Sequence, residues 1–373
     1  MAFGWPYFKD SFMQSRLTAQ ANIWPLVAVV CFVLLTLIGT LFVYDSSLVE
    51  SYNLFGHQYG ILFQHLSGLA LGIIALGLGF LIPAKWIIKF SPIFYGLGLI
   101  LLIMVFLPVV GVGVNGASRW IEIMGLRLQP VELMKPATLI LLAGLLYQKK
   151  HQLAYFLGIL GIPAILVIIQ PDLGSLLVLA GSCVLLYFLS DGSLKHLGLL
   201  GLLALPLLII AIVLAPYRLA RLTTFFNPDS DPLGASFHIR QITLALGQGR
   251  WLGKGIGNSV QKFAYIPETS TDSIFAIVGE EVGFLGAGLI IVMYAVLITS
   301  LVKLVMTQNS SPLLKLTKLG LVGWIAIQTT LNLAAVVGLV PLTGIPLPLF
   351  SYGRSAQVAL MFSVGFILRG EKK

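Results

Sequence analysis

The sequence predicts an all-α polytopic membrane protein of about ten transmembrane helices, with a large extracytoplasmic loop between helices 7 and 8. Three observations predict it. The 373 residues are 58% hydrophobic and only 10% charged, with a mean hydropathy of +0.97, whereas soluble domains carry roughly a quarter charged residues. The apolar residues fall into runs near the roughly 20 residues a helix needs to cross a bilayer. Turn-forming and charged residues collect between the runs.

The runs lie, in order, over 23–44, 59–82, 90–110, 131–147, 152–170, 172–190, 194–215, 272–302, 313–340 and 347–368. The first is too long and uninterrupted for the apolar core of a signal peptide, so the sequence reads as having no cleaved leader. A bare Gln170-Pro171-Asp172 turn separates the fifth from the sixth. No repeat of 20–50 residues is visible, and the chain reads as one membrane domain, 1–373, with 216–271 the large loop within it.

Charge orients the runs. With the amino terminus in the cytoplasm, thirteen of the 23 basic residues fall on the inner side, from Lys9 and Arg16 through Lys85, Lys89 and Lys303 to Lys372 and Lys373. The outer loop 45–58 carries Asp45 and Glu50 and no Lys or Arg. The positive-inside bias places both termini in the cytoplasm. Loops 111–130 and 216–271 break the bias, holding Arg119 and Arg127 in one and Arg218, Arg221, Arg240, Arg250, Lys254 and Lys262 in the other. A basic, Gly-rich outer surface suits an anionic ligand such as a pyrophosphate; contact with lipid headgroups explains it equally well. The net charge of +9 therefore does not indicate nucleic acid. Cys31 and Cys183 both sit in apolar runs, and the five histidines do not cluster at ligand spacings, so neither a disulfide framework nor a metal site is indicated.

Four constellations could carry chemistry. Asn115–Ile121 contains Arg119 and Trp120, and is followed by Gln129–Lys135. Glu132 and Lys135, three apart, share a helix face in a run whose seventeen residues rise about 26 Å, short of the bilayer core. The run then starts at the base of an outer cavity, where the pair is either a plain ion pair or a phosphate site. Trp120 is a membrane-interface residue or a platform for a sugar ring. In the large loop, Ser236–Leu246 reads as a short amphipathic helix, and the Gly-rich 247–258 as a flexible re-entrant or lid segment. It lacks the pattern of a nucleotide loop. Asp272 closes Tyr265–Asp272, which includes Glu268, where an apolar run meets water. A carboxylate there is a helix cap or a functional group. Glu280 and Glu281, the former about 12 Å deeper, suggest an internal polar network. Last, Pro341–Arg354, with Ser351, predicts broken helix, which survives at membrane depth only inside protein or along a cavity.

These segments resemble the SEDS family, the shape, elongation, division and sporulation proteins. Asn115–Ile121, Gln129–Lys135, Gln170–Gly174, Asp231–Gly234, Ile266–Asp272, Gly279–Gly283 and Gly344–Gly353 match seven of its motifs in order, so the likeness covers essentially the whole chain. Gly257–Lys262 and Ile277–Glu280 look more like the division branch, and Gln170 like the elongation branch. Ser270, Ser273 and Arg354 depart from the usual His, Phe and Gly.

The resemblance implies a peptidoglycan glycosyltransferase of the bacterial inner membrane, for which inverting transfer is the expected chemistry. It would polymerise lipid II, an undecaprenyl-pyrophosphate-linked substrate, on the outer face for cell division or elongation. The expected partners are a class B penicillin-binding transpeptidase, the lipid substrate and membrane lipids, with no nucleic acid. Asp272 matches the family's essential aspartate and is the expected base. Trp120, Arg119, Glu132, Lys135, Gln129, Arg240, Lys262, Glu268 and Ser351 are the expected substrate contacts. No cofactor is required by the motifs, and a divalent cation, Mg2+ or Mn2+, would be compatible with a pyrophosphate. A lipid II flippase and a non-catalytic scaffold of the cell-wall complex are the rival readings; the outer location of Arg119, Glu132, Lys135 and Asp272 favours the enzyme.

Overall fold

The computed structural model describes residues 23–108, 110–114, 117–123, 126–148, 152–213, 215–228, 236–263 and 269–370. A helix lies over each apolar run: α1 Trp24–Ser46, α3 Gly60–Leu81, α4 Ala84–Met104, α5 Pro130–Tyr147, α6 Gln152–Ile169, α7 Leu173–Leu189, α8 Leu194–Val213, α11 Ile274–Thr307, α12 Pro312–Val336 and α13 Arg354–Leu368. Seven of them, α1, α3, α4, α5, α6, α11 and α12, are long and apolar enough to cross a membrane. Short helices fill the connections: α2 Leu48–Phe55, α9 Pro216–Phe226 and α10 Phe237–Gly249. The last matches the expected amphipathic helix and buries Ile242 and Ala245.

The expectation of an all-α chain is corrected by a small sheet between α4 and α5. Strands β1 Gly111–Val114, β2 Ala117–Ile123 and β3 Leu126–Leu128 pair antiparallel in the order β1-β2-β3. The cause is local. Valines and isoleucines alternate with small or polar residues here, a period of two that favours strand, and α4 stops at Met104, six residues before its apolar run ends. The last helix has the expected broken entrance, although it starts later than its apolar run. It begins at Arg354 rather than 347, because Pro341, Pro346 and Pro348 keep the preceding stretch irregular.

α5 lies at the centre. Most of its residues are buried, Glu132 and Lys135 among them, and it packs against α4, α6, α7, α12 and α13. The outward faces of α1, α3, α4 and α6 expose large apolar side chains such as Leu37, Ile73, Ile100 and Ile165, the surface expected of helices solvated by lipid.

α11 is broken at Gly283, whose φ is +68°. The break frees two carbonyls and two N–H groups, and residues 250–255 satisfy all four. Lys254 N donates to Glu280 O and Gly255 N to Glu281 O, while Phe284 N donates to Arg250 O and Leu285 N to Trp251 O, at 2.8–3.1 Å. A Cβ at 283 would lie 2.3 Å from Gly253 N, so only glycine allows this approach.

The side chains complete the clamp. Glu280 accepts from Lys254 Nζ (2.7 Å), Ser259 Oγ (2.5 Å), Val260 N (3.1 Å) and Gln261 N (3.3 Å). Glu281 accepts from Gly257 N, Ser259 N and Lys262 Nζ. The expected polar network is present, and the Gly-rich segment is fixed to a helix break rather than free to act as a lid.

Candidate active site

Asp272 is reached by three elements that converge on the start of α11. It is 8% exposed. From α12, Asn332 Nδ2 donates to Asp272 O at 2.9 Å and to Ile345 O at 2.7 Å, tying the aspartate's backbone to the broken segment before α13. From α9, the Arg221 guanidinium acts on the carboxylate while its Nη1 donates to Leu342 O at 3.1 Å. From α10, His238 Nε2 lies 2.8 Å from Ser273 Oγ, and that hydroxyl donates to Asp272 Oδ1 at 3.3 Å.

Gly344 lies beside both cation and carboxylate. Gly344 has φ +69°, and a Cβ there would lie 3.7 Å from both Arg221 Nη1 and Asp272 Oδ2. Burial raises the Asp272 carboxyl from its ordinary 3.8 to about 6, against the opposing pull of Arg221 and of hydrogen bonds from Ser273 and Thr271. A carboxyl poised there exchanges protons near neutrality, as a general base needs.

A second polar cluster lies deeper and is joined to the first. Glu132 and Lys135 are both fully buried and pair at 2.7 Å. Lys135 Nζ also donates to Gln328 Oε1 at 2.8 Å and lies 5.6 Å from the centre of the Trp324 ring. Gln328 Nε2 donates to Pro346 O at 3.1 Å. Gln328 and Asn332 are one turn apart on α12, so one helix face holds the Lys135 pair at one end and the Asp272 backbone at the other. Glu132 Oε2 has no hydrogen-bond partner among the described residues.

The remaining expected contacts divide. Arg119, on β2, donates through Nη2 to Pro171 O, and Trp120 beside it is half-buried, paired in register with Val112. Gln129 donates to Asp172 Oδ2 at 3.4 Å, and its N–H to Ser355 Oγ at 2.9 Å. These three form one patch around the sheet and the α6–α7 turn. Arg240 is half-buried on α10, the helix that carries His238. Glu268 lies outside the described residues.

Two expected contacts, Lys262 and Ser351, are enclosed. Lys262 is not open to a ligand: its ammonium is 2.7 Å from Asp45 Oδ1, 2.7 Å from Gly257 O and 3.2 Å from Glu281 Oε1, and the residue is 3% exposed. Ser351 is 3% exposed and its hydroxyl accepts Leu347 N at 2.9 Å, a turn closure.

The sequence did not single out Arg221's particular place, His238, Gln328 or Asn332. The two amides did carry a signal, since polar side chains one turn apart inside an apolar run face the bundle interior. No group of three or more His, Cys, Asp or Glu suited to a metal occurs among the described residues, and the charge acting on Asp272 is a cation.

Comparison with known proteins identifies the family. The family model for FtsW, RodA and SpoVE, described as cell cycle protein, matches residues 25–373. The chain is 34% identical over 352 residues to stage V sporulation protein E of Bacillus subtilis, covering 92% of this chain and 95% of that protein. It is 35% identical over 350 residues to the probable peptidoglycan glycosyltransferase FtsW of Coxiella burnetii, covering 91% and 94%. A chain from a solved peptidoglycan synthase complex superposes with a TM-score of 0.74 at 27% identity, covering 91% of this chain and 95% of that one. The rod shape determining protein RodA of Thermus thermophilus shares the fold, with a TM-score of 0.67 at 24% identity over 91% and 94%. The chain belongs to the FtsW, RodA and SpoVE family of cell cycle proteins.

Proposed function

We propose that this chain is a peptidoglycan glycosyltransferase that polymerises lipid II into β-1,4-linked strands at the outer face of the bacterial inner membrane, with Asp272 as general base. The observation that carries the reading is the placement of Asp272: a buried carboxyl with its pKa raised to about 6, with Gly344 beside both it and Arg221, at the start of a membrane-length helix. An acceptor sugar's 4-hydroxyl would lose its proton to Asp272 as its oxygen attacks the anomeric carbon of a second lipid II. The α-linked undecaprenyl pyrophosphate would leave as the β bond forms. Inversion needs one base and a stabilised leaving group, and Arg221 supplies the fixed positive charge.

Lys135 is paired and enclosed in this structure. Its part in this reading is to hold Gln328, and through α12 the floor under Asp272, in place. Ten crossings with both termini in the cytoplasm fit the ten apolar runs and the charge bias. That topology puts Asp272 outside, where a class B penicillin-binding transpeptidase would act on the product. The relatives named as peptidoglycan glycosyltransferases and the likeness to a synthase-complex chain support both the reaction and the partner.

The test is polymerisation of labelled lipid II by the purified protein with its transpeptidase partner, resolved on a gel. The expected result is a ladder with wild type and none with Asp272→Ala. A monodisperse, partner-bound Asp272→Ala protein that makes normal product ends the assignment. Lipid II translocation into vesicles without polymer would favour a flippase.

A further inference from the structure

A base that takes a proton in each cycle must lose it again, and Asp272 is nearly closed to water. A route out of the buried site runs sideways through Ser273. Its hydroxyl touches Asp272 Oδ1 at 3.3 Å on one side and His238 Nε2 at 2.8 Å on the other. Ser273 is fully buried, and His238, on the first turn of α10, is half-buried. Carboxyl, hydroxyl and imidazole thus form a line from the interior toward the edge of the site.

Charged groups of the described residues near this line include Arg221 from α9, which acts on the Asp272 carboxylate, and Glu50 from α2, whose Oε2 accepts from Ser270 Oγ at 3.4 Å. Tyr352 touches Ser270 through its backbone N–H, at 2.8 Å. Arg221 bears on the carboxylate itself and Glu50 on Ser270, whereas the Ser273 hydroxyl spans from Asp272 to the imidazole. The proton's path by this geometry is Ser273 to His238.

We propose that His238, acting through Ser273, is a positioning and proton-relay residue that returns Asp272 to its carboxylate form after each glycosyl transfer. The proposal rests on Asp272 being the base. Once Asp272 has taken the acceptor proton, its O–H donates to Ser273 Oγ. The serine's own proton passes to the Nε2 lone pair of neutral His238. The carboxylate re-forms, the serine is unchanged, and the resulting imidazolium releases its proton to water. Imidazole suits the task because its charge changes between pH 5 and 8.

The experiment uses the full-length protein with its transpeptidase partner and labelled lipid II. It compares wild type with His238→Gln, Ser273→Ala, the double variant and Asp272→Ala. Glutamine keeps a hydrogen bond to Ser273 but cannot carry the proton. Either single variant is expected to lower kcat about 10-fold, below the usual range for a direct proton-transfer group because the relay acts only on its recovery, with KM unchanged. The double variant is expected to be no slower than either single one. Added imidazole is expected to restore turnover to His238→Gln and not to Asp272→Ala. The relay is overturned if His238→Gln turns over like wild type, if the two losses multiply, or if imidazole restores nothing. An inactive Asp272→Ala beside an unaffected His238→Gln ends the relay and leaves the base standing; an active Asp272→Ala ends both.

Discussion

Replacing Asp272 by asparagine separates what the carboxylate does for the reaction from what it costs the fold. Its pKa rises from 3.8 in the open chain to about 6 in the structure, with burial as the first cause. Below about pH 4 the group is protonated in both states, and folding carries no penalty. Between there and about pH 6 the unfolded chain gives up the proton while the folded one keeps it, so stability falls as pH rises. Above about 6 the full penalty is present, about 3 kcal/mol at 1.36 kcal/mol per unit.

An asparagine at this position would fill the same space with no charge to desolvate. The Asp272→Asn protein should therefore be the more stable one at pH 7, by up to about 3 kcal/mol, a shift of a few °C for a chain of this size. It should also lose about 10²–10⁴ in turnover. Thermal unfolding in detergent at pH 4, 6 and 8, beside lipid II polymerisation, reads both. A stability gap that does not shrink toward pH 4, or an asparagine variant less stable than wild type at pH 7, would refute the reasoning, because the carboxylate would then be held by favourable contacts.

Arg221 opposes that rise, so Arg221→Met should raise the Asp272 pKa further and move the acid limb of kcat/KM to higher pH; an unmoved limb would show that the guanidinium does not act on the carboxylate. Lys262→Met should cost about 3–5 kcal/mol, since Asp45 and Glu281 would lose the buried ammonium between them, and a second change, Asp45→Asn, should return part of the loss in thermal melts. Gly283→Ala adds a Cβ against Gly253 N at a left-handed φ; it should destabilise by at least about 1–2 kcal/mol and expose 250–255 to proteolysis, and an unaffected melt would mean the clamp is looser than its geometry.

The membrane runs were legible because lipid forces long apolar stretches, whatever the packing. The broken entrance to α13 was legible because Pro341, Pro346 and Pro348 fall so close together that no helical alternative is left. The small sheet was not, since 111–128 is continuous with an apolar run and its strands are only three to seven residues long. The enclosure of Lys262 was hidden for a different reason. A basic residue in a basic loop looks like a ligand contact until the partner 217 positions away, Asp45, is seen beside it. His238 gave no signal because its partner lies on another helix and is a serine where the resemblance leads one to expect phenylalanine.

The carboxylates near the start of α11 show how one side-chain type is given opposite tasks by its neighbours. Glu280 and Glu281 lie two to three turns below Asp272, about 12 Å deeper. There the Gly-rich segment turns its N–H groups inward, and each glutamate collects several donors and a lysine. These bonds tie the Gly-rich segment to the kink at Gly283. Asp272, on the same helix axis, has a serine and a threonine as close donors and an arginine held off across a glycine, and burial outweighs them. It is left able to change its charge near neutral pH. Residues 216–263 supply both halves of this arrangement: Arg221 and His238 beside the aspartate, and the clamp of 250–262 beneath it. Shortening or rebuilding that segment should therefore disturb the pKa of Asp272 and the stability of α11 together, although it contains neither.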